Sequence, residues 1–149
     1  MHWKNKLAIV LAATVVSSAA HAESKSQYEA FSGRLFAGDR TTALLNLDAC
    51  QQKSGSKIKG KDIVGGIVVH SFMKLSSPDQ SIIFSDVHLT VREDLTPILE
   101  FIRYRVMPDD SATIAIQILS PRTYDAITEK KVFDCKLGDG LTFSYGTTQ

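Results

Sequence analysis

The chain of 149 residues lacks every signature that would name a reaction. It has no P-loop, no G-x-G-x-x-G, no H-E-x-x-H and no G-x-S-x-G. Phosphate cradling, zinc hydrolysis and an elbow-mounted serine nucleophile therefore have no local support. It also lacks an excess of either charge: 17 basic residues meet 16 acidic ones, a formal +1. That argues against nucleic-acid binding, which asks for a visibly basic domain. No apolar run approaches the length of about 20 residues that a membrane span needs. Only two cysteines occur, and they form no C-x-x-C. What is not lacking is core material, with 44% hydrophobic residues. That is enough for an ordinary packed interior and too much for a disordered chain.

The first 22 residues differ in kind from the rest. Lys4 and Lys6 give a basic start, Leu7 to Val16 is uncharged and apolar except for Thr14, and small residues end in Ala20-His21-Ala22. Basic, apolar, then A-x-A is the order of a secretory signal peptide. No Cys follows the expected cleavage point, so a lipid anchor there is not indicated. The mature chain is expected to start at Glu23 and run to Gln149 as a single domain. Losing 1–22 removes two lysines and no acid, which moves the formal charge from +1 to −1. The expected location is the periplasm or the medium.

Export changes how Cys50 and Cys135 read. In an oxidising compartment the only possible pair is expected to form a structural bridge. Such a closure is assigned roughly 4–5 kcal/mol by loop entropy. A redox pair is the alternative, without a C-x-x-C to support it.

Along the mature chain, Ser26-Gln27-Tyr28-Glu29 fits a capping box. Phe31 and Leu35, four apart, would share one helix face, and Gly38 is a natural stop. Strand patterns follow. Thr41 to Cys50 puts Ala43, Leu45, Leu47 and Ala49 on one side. Lys53 to Lys61 reads as a solvated loop with four lysines and no aromatic ring for stacking. Gly65-Gly66 marks a bend, Ile67 to Leu75 a strand, and Ser76 to Gln80 a turn. Ser81 to Val91, Pro97 to Val106 and Ser111 to Ser120 are the clearest strands. Thr123 to Cys135 is weaker, and Leu141 to Tyr145 is placed to close the sheet. The fold class is α+β and mostly β: six or seven antiparallel strands, as a sheet or a partly closed barrel, behind one short N-terminal helix.

Side chains alternate along strands, so the central hairpins can be treated as a grid. A symmetric first connector opposes Thr90 to Ile98, His88 to Glu100, Asp86 to Ile102 and Phe84 to Tyr104. The same logic at the second turn opposes Tyr104 to Thr113, Ile102 to Ala115 and Glu100 to Gln117. One face then holds Val87, Leu89, Leu99, Phe101, Ile114, Ile116 and Ile118 and reads as core. Arg103 and Arg105 sit at its edge, able to reach water or a carboxylate. The other face holds Asp86, His88, Thr90, Glu100, Tyr104 and Gln117, with His88, Glu100 and Gln117 in one row. A carboxylate beside an imidazole suits acid–base work, ligand binding or a metal site. A solvated sheet face accounts for the same pattern. The mature chain has two histidines, His70 and His88, so three metal ligands cannot be named. No metal and no cofactor are expected. Ser85 points away from His88, which leaves nucleophilic catalysis without its nucleophile.

The stretch Phe84-Ser85-Asp86-Val87-His88-Leu89-Thr90-Val91, followed by Pro97-Ile98-Leu99-Glu100-Phe101-Ile102-Arg103-Tyr104-Arg105-Val106, resembles the VirK family. These are small exported bacterial proteins named from a plant-pathogen virulence regulon. The similarity also takes in the leader, Leu47-Asp48-Ala49-Cys50, and Phe133-Asp134-Cys135 followed by Gly138 and Gly140. One departure is the turn Pro108-Asp109-Asp110, where family members often carry Pro-Asp-Gly. The resemblance implies a virulence- or envelope-associated role and supplies no catalytic residue. Its matching positions are Asp86, His88, Glu100, Arg103 and Tyr104. The grid puts Arg103 on the opposite face from the other four, which suggests a structural task for it.

Three functions compete. The favoured one is an exported binding or interaction protein that uses Asp86, His88, Glu100, Tyr104 and Gln117 to hold an unidentified small molecule or protein. A small hydrolase with a His88/Glu100 acid–base pair is the second. An inhibitor of a host or competitor enzyme, acting through the Lys53 to Lys61 loop, is the third. A monomer is expected, with no nucleic acid and no stable membrane span.

Overall fold

The computed structural model describes residues 26–55 and 63–146. The leader and most of the lysine loop lie outside the described residues. The first element is the helix α1 (Gln27–Phe36). Its capping box forms as expected: Ser26 Oγ accepts from the Glu29 amide at 3.1 Å, and the Glu29 carboxylate accepts from the Ser26 amide at 3.2 Å. Gly38 ends the helix with φ +83°, a conformation that costs glycine little. Tyr28, Phe31 and Leu35 are buried on one face.

Nine strands follow among the described residues, all antiparallel within their sheets. β1 (Arg40–Asn46), β3 (Val64–Val68) and β9 (Leu141–Gly146) form a three-stranded sheet in the order β3-β1-β9. The larger sheet runs β2-β8-β7-β6-β5-β4. Its members are β2 (Gln51–Ser54), β4 (Phe72–Lys74), β5 (Ile82–Val91), β6 (Pro97–Val106), β7 (Ser111–Leu119) and β8 (Lys131–Lys136). The mostly β, antiparallel build with one leading helix is as expected; the sheets do not close into a barrel.

One expected strand ends early and another is cut in two, and both interruptions carry the chain from one sheet to the other. Thr41 to Cys50 breaks at a single 3-10 turn, Leu47–Ala49, which Asn46 caps by accepting from the Asp48 amide. Ile67 to Leu75 breaks at Val69 to Ser71, leaving β3 with β1 and β4 with β5. The larger sheet is therefore tied to the smaller through its two outermost strands, β2 and β4, as well as through the connection from β8 to β9. Lys53 belongs to β2 and pairs with Asp134 at 2.9 Å, so the lysine loop is shorter than its composition suggested. β9 joins β1 instead of closing the larger sheet.

The first hairpin register is the expected one: His88 faces Glu100, Asp86 faces Ile102 and Phe84 faces Tyr104. The second is shifted by one residue. Tyr104 faces Ile114, Ile102 faces Ile116 and Glu100 faces Ile118, while Gln117 faces Phe101. The cause is the turn. Met107 to Asp110 makes a tight turn, and Asp110 then takes φ +61°, adding one residue to one side. A one-residue slip moves a whole strand's side chains to the other face. Asp110 occupies the conformation that glycine would normally fill, and its carboxylate accepts from the Tyr28 amide at 2.7 Å. The aspartate thereby caps the helix N-terminus from the hairpin turn.

The slip settles which face is inside. Ile82, Phe84, Tyr104, Val106, Ala112, Ile114, Phe133 and Cys135 are buried together against α1 and the smaller sheet. Val87, Leu89 and Phe101, expected in the core, are exposed on the outer face. Phe31 is the centre of the packing, stacked on Phe143 of β9 at 3.9 Å and tilted against Phe84 of β5 at 6.2 Å between ring centroids. The helix thus fills one end of the space between the sheets.

Cys50 and Cys135 are joined, with Cα atoms 4.5 Å apart. Gly140 lies against the bridge. A Cβ there would stand 2.5 Å from the Cys50 sulfur, so only glycine fits.

Candidate functional site

Along the inner face of the larger sheet, burial falls off row by row. The row Phe84–Tyr104–Ile114–Phe133 is sealed. The next row, Asp86–Ile102–Ile116–Lys131, is half-buried. Beyond it lie His88, Glu100 and Ile118. The helix does not reach these rows, and the space it leaves is a cleft of about 690 Å³ between the sheets. That is within the usual size of small-molecule sites.

One wall comes from the smaller sheet and its approach: Leu45, Leu47, Ile63, Val64 and Ile67. Gly65, opposite Leu45, shares that inner face, and a Cβ added to it meets nothing within 4 Å. The missing side chain leaves the cleft open. The other wall carries the polar groups. His88 Nε2 lies 2.9 Å from a Glu100 oxygen, and His88 Nδ1 lies 3.8 Å from Asp86. The first is a close polar contact; the second is a looser one. The imidazole thus sits between two carboxylates, closer to one.

Tyr104 lies beneath them, stacked on Phe84 at 4.7 Å and almost fully buried. Burial first, and the nearby Asp86 charge second, push its phenol up to about 12. Both effects disfavour the phenolate, so Tyr104 enters the cleft wall as a neutral hydroxyl.

Four of the five sequence-predicted binding residues therefore line one cleft: Asp86, His88, Glu100 and Tyr104. Gln117 does not join them. The register slip turns it to the outer face, where its amide donates to the Thr128 carbonyl. It pins the segment that brings Thr128 to the cleft rim. Arg103 lies on the outer face opposite Ser85 and Ala115. It is Arg105 that reaches a carboxylate, donating to Asp79 and to Ser81 Oγ. Sequence reasoning missed Lys131 and Thr128. The alternation Lys131, Phe133, Cys135 along β8 puts Lys131 on the inner face, a signal that needed the correct register to be used. Among the described residues, no group of three His, Cys, Asp or Glu side chains is arranged to hold a metal ion.

This is an open, two-sheet antiparallel β protein with one end plugged by a helix and the other hollow. The chain belongs to the VirK family, whose model, described as VirK protein, matches residues 24–124. It is 25% identical over 134 residues to an uncharacterised protein, y4wH, of Sinorhizobium fredii, covering 90% of each chain. It is 29% identical over 65 residues to an uncharacterised protein from the pinF2 3′ region of Rhizobium radiobacter, covering 44% of this chain and 45% of that one. Its fold is similar to the crystal structure of lpg1832, a VirK family protein from Legionella pneumophila. The TM-score is 0.69 at 19% identity, over 80% of this chain and 97% of that one.

Proposed function

We propose that this chain is an exported binding protein that holds a small ligand in the cleft between its two sheets. The observation that carries the proposal is the convergence of Asp86, His88, Glu100 and Tyr104 on a hollow whose remaining walls are largely aliphatic. A mostly apolar pocket with a few convergent polar groups is what small-molecule recognition needs. Export is supported by the basic–apolar–A-x-A leader and by the Cys50–Cys135 bridge.

The hydrolase reading draws on the same His88–Glu100 contact. The described residues lining the cleft include no serine or cysteine beside it. An acid–base mechanism there would have to activate water.

Two measurements test the binding reading. Intact-mass analysis of native material should show the leader removed and the two thiols joined. A ligand screen by native mass spectrometry should find a compound retained by the wild type. Gly65→Leu fills the hollow from the opposite wall and should abolish retention with little change in melting temperature; His88→Ala should weaken it in a folded domain. Unchanged retention in Gly65→Leu would remove the cleft from consideration.

A further inference from the structure

The half-buried row across the inner face has charges of opposite sign at its two ends. Asp86 faces Ile102, Ile102 faces Ile116, and Ile116 faces Lys131, so the four side chains cross β5, β6, β7 and β8 in line. All four line the cleft. His88 and Glu100 lie 2.9 Å apart, while the nearest ionic neighbour of Asp86 is 3.8 Å away. Lys131 makes no ion pair with any other described residue, although Lys53 on the neighbouring strand does. Asp86, with the His88 imidazole 3.8 Å away, and Lys131, with no ion-pair partner among the described residues, are each partly withdrawn from water, and two isoleucines separate them.

We propose that this row binds an apolar zwitterion, with the ligand's ammonium at Asp86, its carboxylate at Lys131 and its hydrocarbon body over Ile102 and Ile116. The inference rests on the cleft being a binding site and adds the class of ligand. Neither charge can neutralise the other, because three interstrand spacings of about 4.8 Å separate their backbones by about 14 Å. A ligand that places opposite charges near that separation supplies both counter-ions at once. An extended peptide of roughly three or four residues, at about 3.3–3.6 Å per residue, has the required length. A straight ω-amino acid has the same chemistry without amides. The opposite wall, with Leu45, Leu47 and Val64, would cover the apolar body. Charge-assisted hydrogen bonds in such a partly dry site are stronger than neutral ones, so each end should be read separately.

The test uses the mature, oxidised protein and five probes. Nile red, uncharged and apolar, reports the cleft alone. Trileucine, its N-acetyl form and its C-terminal amide then compete with the dye. Free trileucine should displace it, and capping either end should weaken displacement about tenfold or more. Lys131→Met should erase the penalty for amidation and keep that for acetylation; Asp86→Asn should do the reverse. Displacement by 8-aminooctanoate as strong as that by trileucine would assign recognition to the charges and the hydrocarbon; displacement by trileucine alone would assign it to a peptide. Equal displacement by free and capped trileucine, or penalties that survive in both variants, overturns the zwitterion. Nile red bound by wild type and lost in Gly65→Leu, with no displacement by any zwitterion, overturns the ligand class and leaves the cleft reading standing. Nile red bound by neither protein overturns both.

Discussion

The same four strands, β5 to β8, behave differently at their two ends. At the helix end, the rows through Ile82 and Phe84 are closed by α1 and by β9, and Phe31 is fully buried between the sheets. At the other end the inner face carries charges around a hollow, and the outer face leaves Leu89 65% exposed. One end is built by apolar packing and a covalent bridge; the other has exchanged packing for an opening. The difference teaches that the long hairpin is held by its root and displays its far half, so mutational effects should divide sharply along its length.

The largest effect is expected at the root. Phe31→Ala should cost about 3–5 kcal/mol, because it leaves a cavity touching both sheets. Phe101→Ala on the outer face should cost under about 1 kcal/mol. Urea midpoints measure both, and equal losses would break the division. Next is the bridge. Replacing Cys50 and Cys135 together with serine should cost about 2–5 kcal/mol, and adding a reductant to the wild type should lower its melting temperature comparably.

Tyr104 lies at the boundary and gives a pH test. Its folded-state phenol is raised to about 12, against about 10 in an unfolded chain. The unfolded chain therefore loses this proton first as pH rises. The stability contributed is complete below pH 10 and is lost as pH climbs through 12, on the order of 2 kcal/mol in all. Absorbance of the phenolate should show a late-ionising group that disappears in Tyr104→Phe. The same phenolate titration in wild type and Tyr104→Phe beyond about pH 11, with no late-ionising group lost, would mean that the cleft floor is wet. The smallest effect belongs to the far outer face: Leu89→Ser should change stability by no more than about 0.5 kcal/mol. A large loss there would show that the exposed face packs on something in solution.

The sequence made some of this legible and hid the rest for physical reasons. Ser26, Glu29, Phe31 and Gly38 announce the helix, because capping and a four-residue spacing are local. The β5–β6 register follows from one symmetric connector. The β6–β7 register does not, because nothing local says that Asp110 will adopt φ +61°; its reward, the Tyr28 amide, comes from 82 residues away. Alternation could not correct the error. Both faces of the hairpin carry apolar residues, Phe84, Ile98 and Ile102 on one and Val87, Leu89 and Phe101 on the other. Polarity alone suits a solvated face as well as a site, whereas here Asp86, His88 and Glu100 line a cleft between the sheets. The sequence shows the polar cluster; which side of the sheet faces inward, and the place of Lys131 beside it, depend on the β6–β7 register.

Among the described residues the chain crosses between the sheets at Leu47–Ala49, at Val69 to Ser71 and again from β8 to β9, and the first two crossings bear on how a guest of the proposed site would be received. The opposed walls share continuous backbone at both margins, like a folded cuff stitched along two seams. Spreading them would require bending main chain at both seams together. The aperture would consequently be set before a guest of the proposed site arrived, and little of its affinity would be spent on ordering the host. Selection by fit, with shape-mismatched guests turned away at the mouth, is what such a stitched opening would impose on a ligand of the proposed site.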